Sequence, residues 1–455
     1  MNFNTLEFIV YLPIVLAMFY LSPPRFRMGV LLLASLFFYG VSGFLPLLGL
    51  VVTIAWGFTT AFLVTRHPGS ARKILAVALP LFFLFIFKYL DFTLTSVAAS
   101  DDTRDFFGPL LMVVMPAGIS FYTFQVVSYS LDVADGKLEP EKDLVQFATF
   151  ISFFPQLIAG PILRYEQIRD QFHRISTERV LNPDIVTGLK FICVGFAAKI
   201  FFADMLSSNL RFHAAVTSLD AIYSVFSYSF RIYYDFWAYS LMAIGLAKLF
   251  SIDLPRNFRE PYLAANPQDF WRRWHVTLSY WLRDYVYMRL GGNRAYIRNI
   301  VIVFLACGLW HGAGWNFVIW GAYHAVLVAG YRLVSPWWDR LPGWAGITLT
   351  FLLVSLGWPL FNGGISEYAE LMATIFAFDF SGESTVRNFS WILLGLVAAV
   401  TFLTREDKWL FNTDGARTGW KLLPKLADSP ASYAAVLSLA VVCLRYRDTF
   451  IYFRF

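Results

Sequence analysis

Long apolar segments, separated by short polar ones, run through most of the chain. A helix needs about 20 mainly apolar residues to cross a hydrocarbon core of about 30 Å. This pattern predicts an all-α polytopic membrane protein with about eleven transmembrane helices, plus one or two re-entrant or interfacial ones. The predicted spans are 3–21, 28–43, 45–64, 74–90, 108–130, 184–203, 221–250, 299–330, 344–361, 388–404 and 431–444. Two of them, 221–250 and 299–330, are long enough to be tilted, broken or divided into two helices.

The distribution of charge between the spans predicts the orientation, because cytoplasmic loops are rich in Lys and Arg. The basic side chains that follow the first and third spans are Arg25, Arg27, Arg66, Arg72 and Lys73. The loop after the fourth span, 91–105, is mainly acidic. We therefore expect a multi-pass membrane protein whose N-terminus lies outside the cytoplasm.

Composition supports a membrane environment. Of the 455 residues, 58% are hydrophobic and 15% are charged, whereas a soluble domain carries about 25% charged residues. The net charge of +6 is interpreted as a topology signal, and no basic run suggests nucleic-acid binding. Cys193, Cys307 and Cys443 are far apart in sequence, so neither a disulfide framework nor a Cys-ligated metal is expected.

Two central segments, 131–183 and 251–298, are too charged to cross lipid. They are also dense in aromatic residues, Pro and Gly. Irregular backbone at membrane depth is tolerated only where protein or a water-filled cavity surrounds it. The polar side chains Gln125, Gln156, Tyr234 and Asp235 are candidates to line such a cavity. A structural ion pair between Asp235 and Arg231, one turn earlier, is the stronger interpretation of that carboxylate.

The segment 269–298, read as one helix, places five apolar side chains on a single stripe: Trp271, Trp274, Leu278, Trp281 and Tyr285. This is typical of a helix that lies along the membrane interface or dips into it. Gly291-Gly292-Asn293 predicts a terminating turn. His275 lies between the apolar and basic faces, and on local sequence a packing role is the stronger interpretation.

His311 lies within the apolar run 305–328, beside Gly308, Gly312 and Gly314. An ionisable residue at that depth is costly, so it is a functional candidate by default, with a polar contact between helices as the alternative. His324 is interpreted as a packing residue or one that supports the site. It contributes only if Gly312-Ala313-Gly314 breaks the helix.

Acyl transfer from a thioester to a hydroxyl is chemistry that such a histidine can perform. A neutral imidazole accepts the hydroxyl proton during attack, and a hydrogen-bond donor to the developing oxyanion completes the minimum set. The sequence has no G-x-S-x-G nucleophile motif. It also lacks metal-ligand spacing around His275 and His311, so no metal is expected.

Several motifs together resemble the membrane-bound O-acyltransferase family, in its bacterial branch that O-acetylates alginate and related exopolysaccharides. They are MPAGISFYTFQ, SYSLDVADGK, FFPQLIAGPI, YYDFWAYSLMAIG, NFREPYLAANPQDFWRRWHVTLSYWLRDYVYMRLGGNR and GLWHGAGWNFVIWGAYH. The resemblance is dense over 115–325. It implies a ring of helices around a central tunnel, lined in part by Trp310 and Gly312. It also implies one domain with N-terminal helices (1–107), a catalytic core (108–330) and C-terminal helices (331–455).

The resemblance further implies that His311 is the catalytic histidine and that His275 fills a second polar position in the site. The implied donor is acetyl-CoA or another acyl thioester, used as a substrate rather than a bound cofactor. Its phosphates would be bound by basic side chains of the 269–298 segment, namely Arg272, Arg273, Arg289, Arg294 and Arg298. For at least some of these arginines the stronger explanation is the general excess of Lys and Arg in cytoplasmic loops, which sets the orientation of the chain.

The implied acceptor is an extracytoplasmic polysaccharide, reached directly or through a periplasmic partner protein. Membrane lipid is the other expected partner. D-alanyl transfer from a carrier protein to a teichoic-acid-type polymer is a neighbouring alternative. A transporter or flippase for lipid-linked sugars and a catalytically silent scaffold also remain open. The identity of the polymer and the oligomeric state are not determined by the sequence.

Overall fold

A computed structural model describes residues 3, 5–66, 69–98, 100–111, 115–181, 183–207, 217–382, 384–404 and 410–411. Throughout these residues the regular secondary structure is helical, as the apolar pattern predicts. The chain divides into two compact units. The first comprises Met1–Ile192 and Met242–Pro255, and the second comprises Cys193–Leu241 and Arg256–Phe455.

The first unit contains the N-terminal helices. They are α1 (Leu6–Leu21), α2 (Pro24–Gly40), α3 (Phe44–Arg66), α4 (Ser70–Ser96), α5 (Asp101–Leu111), α6 (Ile119–Ala134), α7 (Leu144–Ser152), α8 (Phe154–Leu157) and α9 (Tyr165–Thr177). α2 packs against α7 and α9, and α3 packs against α4 and α6. Large apolar side chains on the outside of these helices, such as Leu33 and Phe44, stay exposed, which suits contact with lipid rather than water.

Two long helices contribute to both units. α10 (Ile185–Ser207) includes a π-helical turn over Ala198–Asp204. α11 (Ser218–Leu249) is continuous over its 32 residues, so the predicted span 221–250 is neither broken nor divided.

The remaining helices belong to the second unit. They are α12 (Pro267–Arg273), α13 (Val276–Leu282), α14 (Tyr296–His311), α15 (Trp315–Trp338), α16 (Gly343–Gly357), α17 (Ile365–Phe376) and α18 (Asn388–Leu403). A 3-10 turn over Trp358–Phe361 follows α16.

Among the described residues, five helices are long and apolar enough to cross a bilayer: Phe44–Arg66, Ser70–Ser96, Ile185–Ser207, Trp315–Trp338 and Gly343–Phe361. Four of them match predicted spans, whereas Trp315–Trp338 overlaps only the second half of the predicted span 299–330. Several such helices in one chain indicate a multi-pass membrane protein. The count of eleven spans, the tunnel and the three-part domain division stay predictions. The predicted span 431–444 and Cys443 lie outside the described residues.

The segment 269–298 is not one helix, and this prediction is wrong. α12 ends at Arg273, α13 begins at Val276, and a π-helical turn over Arg283–Tyr287 follows. The interruption falls at His275, whose backbone is left-handed with φ 43°. The predicted stripe of aromatic residues is therefore divided between separate helices. The terminating turn is confirmed, since Gly291 and Gly292 both have positive φ.

The predicted span 108–130 is also not continuous. α5 ends at Leu111, and α6 begins at Ile119 after Gly118, whose φ of 77° is left-handed. A β-carbon at Gly118 would lie 2.6 Å from the Leu157 carbonyl oxygen, so this turn requires glycine.

α14 and α15 form a closely packed hairpin in which glycine is essential on both sides. A β-carbon at Gly308 would lie 2.2 Å from the Phe317 carbonyl oxygen, and one at Gly321 would lie 2.3 Å from that of Phe304. Small residues let two backbones approach in this way. The predicted span 299–330 is therefore two helices, broken at Gly312-Ala313-Gly314.

Candidate active site

His311 is the last residue of α14, at the point where the hairpin turns. Gly312 follows in an extended conformation, and a β-carbon there would lie 2.0 Å from the Phe317 ring. The turn thus depends on a small residue directly after the histidine. The His311 side chain is buried at 3% exposure. The sequence places His311 within the apolar run 305–328, and the structure places it where that run is interrupted.

Aromatic rings surround the His311 imidazole. Trp310, Trp320 and Phe361 lie edge-on to it, with ring centroids at 4.9, 5.2 and 5.0 Å. These rings and the burial of the side chain exclude most water from the imidazole. A neutral imidazole is the form that can accept a proton.

His275 lies at the interruption between α12 and α13 and is 1% exposed. Phe236 and Trp310 lie edge-on to its ring, at 4.7 and 5.8 Å between centroids. This burial lowers the pKa of the His275 imidazole. A left-handed backbone at a residue other than glycine is uncommon and clusters at functional sites. The Trp310 ring also lies edge-on to His311, so His275 and His311 contact the same indole.

Asn257 stabilises the break between α12 and α13, and the sequence does not single it out as a site residue. Its carbonyl oxygen accepts a hydrogen bond from the Val276 N–H at 2.9 Å. Its side-chain oxygen accepts one from the Thr277 hydroxyl at 2.6 Å. Both bonds lie directly after His275, so they fix the backbone that carries the imidazole. No local signal separates Asn257 from an ordinary loop asparagine.

His324 lies in α15 and is fully buried. The break at Gly312-Ala313-Gly314, on which its contribution depends, is present. The Trp320 ring, one helical turn earlier, contacts both His324 and His311, with centroids at 4.7 and 5.2 Å. The structure thus brings three histidines into one continuous cluster of rings.

The predicted donor-binding arginines lie on one stretch of chain. Arg273 forms an ion pair with Asp269 at 2.9 Å, and Arg298 donates to the Leu290 carbonyl and the Asn299 side chain. Four of the five arginines are exposed, namely Arg272, Arg289, Arg294 and Arg298. Exposed guanidinium groups can bind phosphate. Their role stays a prediction.

The predicted cavity residues divide between the two units. In the first unit, Gln125 donates to the Gln156 side-chain oxygen at 3.1 Å, and both residues are buried. In the second unit, the Tyr234 hydroxyl lies 2.9 Å from that of Thr401. A cleft there is lined by Tyr233, Tyr234, Glu260, Tyr262, Leu263, Thr401 and Thr404. That these groups line a tunnel stays a prediction.

A buried ion cluster surrounds Asp235 in the second unit. The Lys199 ammonium lies 2.7 Å from the Asp235 carboxylate and 2.6 Å from that of Asp204. The sequence spacing predicts Arg231 as the partner of Asp235 and does not identify Lys199 or Asp204 as members of this cluster. The signal was present, since both interrupt the apolar span 184–203 or directly follow it. The pairing of Asp235 with Arg231 stays a prediction.

Metal-capable side chains are dispersed in the part of the chain that the structure describes. There, no three His, Cys, Asp or Glu side chains gather closely enough to hold an ion. Cys193 and Cys307 are buried free thiols.

Comparison with known proteins connects this cluster to an enzyme family. The profile of the membrane-bound O-acyltransferase family matches residues 140–344. A relative named probable alginate O-acetylase, from Pseudomonas syringae pv. tomato, is 38% identical over 78% of this chain and 70% of its own length. A peptidoglycan O-acetyltransferase from Helicobacter pylori is 35% identical over 81% of this chain and 78% of its own length.

A more distant relative is named teichoic acid D-alanyltransferase, from Bacillus subtilis. It is 32% identical over 54% of this chain and 68% of its own length. The family match spans α12 to α15 and so includes all three clustered histidines. The chain belongs to the membrane-bound O-acyltransferase family and is a multi-pass membrane O-acyltransferase.

Proposed function

We propose that this enzyme transfers an acetyl group from a cytoplasmic thioester to a hydroxyl of an extracytoplasmic polysaccharide, or to a periplasmic partner that modifies it. The single observation that carries the proposal is the burial of His311 at the hairpin turn, among aromatic rings and beside the indole that also contacts His275. The names of the relatives support acyl transfer onto cell-envelope polymers.

In the proposed reaction the acceptor oxygen attacks the thioester carbonyl carbon while the neutral His311 imidazole accepts the hydroxyl proton. The tetrahedral intermediate then expels the thiolate as its C–S bond breaks. The imidazolium returns the proton to that thiolate. The products are an ester and a free thiol, and His311 ends neutral. No covalent bond to the enzyme is formed.

His275 is proposed as the second polar group of the site. Its fixed backbone and its contact with Trp310 support a role in orienting the reacting groups rather than in transferring the proton. The exposed arginines of 269–298 are proposed to bind the phosphates of acetyl-CoA on the cytoplasmic side. This arrangement rests on the orientation predicted from loop charge, with the N-terminus outside and the chain in the inner membrane.

The test compares His311→Gln with the unaltered enzyme, purified in lipid nanodiscs. Acetyl-CoA and alginate oligosaccharides serve as probes, and both free thiol and acetylated product are measured. We expect kcat to fall by roughly 10²–10⁴, the usual contribution of general-base catalysis. His173→Gln is the matched control, because His173 is exposed on α9. Full activity in His311→Gln would remove the proposed mechanism.

The Bacillus subtilis relative favours D-alanyl transfer as the second candidate. The same enzyme should be offered a D-alanyl thioester on a carrier protein. Consumption of that thioester in preference to acetyl-CoA would replace the acetyl assignment. A transporter would instead move a lipid-linked sugar without releasing any thiol. Mass analysis of secreted glycans, with and without the protein, would identify the acyl group and the polymer together.

A further inference from the structure

His324 is a fully buried histidine whose two ring nitrogens have no hydrogen-bond partner among the described residues. The rings of Trp271, Trp320 and Tyr323 lie edge-on to it, at 5.0, 4.7 and 5.4 Å between centroids. The indole nitrogens of Trp271 and Trp320 likewise find no acceptor within the described parts of the chain. Several buried polar nitrogens thus lie together without partners.

This arrangement is costly, because nearly all buried polar groups in folded proteins are hydrogen-bonded. Phe or Leu would fill the same space without unpaired nitrogens. An indole N–H can only donate, and a neutral imidazole donates through one nitrogen. The missing partner must therefore supply an acceptor, and a carbonyl oxygen is such a group.

The location of these donors connects them to the reaction. The Trp320 ring lies edge-on to both the His311 imidazole and the His324 imidazole. Gly357 lies against His324, since a β-carbon there would be 3.2 Å from the His324 Nε2 atom. The His324 ring is therefore held between α15 and the end of α16.

We propose that Trp320 and His324 donate hydrogen bonds to the carbonyl oxygen of the acyl group and stabilise the oxyanion that develops during transfer. This inference rests on the proposed function, in which His311 is the base and the oxyanion donor is otherwise unassigned. When the acceptor oxygen attacks, the carbonyl π electrons move onto that oxygen, and the two N–H groups bind the resulting charge. The oxygen's electron pair then re-forms the carbonyl as the C–S bond breaks, and the thiolate carries the negative charge away.

The test uses Trp320→Phe and His324→Leu, which remove the N–H groups and keep apolar bulk. We expect kcat for acetyl-CoA to fall by roughly 10²–10³ for each, the usual effect of losing one oxyanion donor. The melting temperature should stay unchanged or rise, because an unpaired buried polar group is lost. His324→Gln keeps an N–H donor and should retain more of kcat than His324→Leu.

Trp338→Phe is the matched control in the same helix. The Trp338 indole donates to the Ala265 carbonyl oxygen at 2.9 Å, so its removal should lower the melting temperature and leave kcat unchanged. The inference is overturned if Trp320→Phe and His324→Leu keep the wild-type kcat. It is also overturned if His324→Gln loses as much activity as His324→Leu. The proposed function fails separately, through full activity of His311→Gln.

Discussion

His275 and His311 contact one shared ring. The Trp310 centroid lies 5.8 Å from that of His275 and 4.9 Å from that of His311. The indole thereby sets the spacing of two imidazoles that come from separate elements. Close packing transmits small displacements, so a change at Trp310 should affect both histidines.

Trp310→Ala should lower kcat by roughly 10²-fold, since misplacement of catalytic groups by about 1 Å has that effect. Trp310→Phe should lose much less, because a ring remains between the imidazoles. The measurement is acetyl transfer from acetyl-CoA in nanodiscs. Equal activity in both variants and in the unaltered enzyme would show that the indole does not position the histidines.

Asn257→Ala should destabilise the fold by about 1–3 kcal/mol, because it removes the buried hydrogen bond that the Thr277 hydroxyl donates to the Asn257 side chain. It should also lower kcat, since the backbone at His275 loosens. Thr277→Val removes the other partner. In a double-mutant cycle on thermal unfolding, the two changes should be clearly less than additive. Strict additivity would exclude a direct coupling.

Lys199→Met should be among the most destabilising single changes, at about 3–5 kcal/mol, because it leaves the Asp204 and Asp235 carboxylates buried without their ammonium. Adding Asp235→Asn should recover part of that loss by removing one of the two negative charges that face the lost ammonium. The measurement is the melting temperature in detergent. Lys73→Met breaks an exposed ion pair with Asp135 and serves as the control, with a change of at most about 1 kcal/mol.

Gly308→Val should prevent the α14–α15 hairpin from closing, because the added β-carbon would overlap the Phe317 carbonyl oxygen. We expect loss of folded protein in size-exclusion chromatography. Gly330→Ala is the control in α15, where a β-carbon has nothing within 4 Å. Alanine there should stabilise the helix by up to about 1 kcal/mol. Normal folding of Gly308→Val would contradict the close approach.

Arg272→Ala and Arg294→Ala should raise KM for acetyl-CoA and leave kcat nearly unchanged, because they remove binding to phosphates remote from the reacting carbonyl. The effect should shrink at high salt, where exposed charges are screened. Arg340→Ala, also exposed, is the control and should leave KM unchanged. Unaltered KM in all three variants would favour topology signalling as the role of these arginines.

Much of the fold follows from the sequence alone. The apolar runs around 45–64, 74–90, 184–203 and 344–361 specify membrane helices, since crossing lipid demands length and apolarity over a continuous stretch. The glycines at 291–292 specify a turn, because local backbone chemistry determines where a helix ends. For Gly312-Ala313-Gly314 the sequence left open whether the helix breaks, and the structure shows that it does. The depth of His311 marks it as a candidate through the cost of an ionisable group in an apolar run.

Tertiary structure decided what local pattern could not. The spacing of Trp271, Trp274 and Leu278 favours one helix, yet hydrogen bonds from Val276 and Thr277 to Asn257 hold the chain open at His275. The pairing of Asp235 with Lys199 likewise joins different helices. Contacts between residues distant in sequence leave no periodic signal, because their free energy arises only when the elements pack together. The amino-acid pattern determined where long apolar helices lie along the chain, and packing determined which of their residues meet.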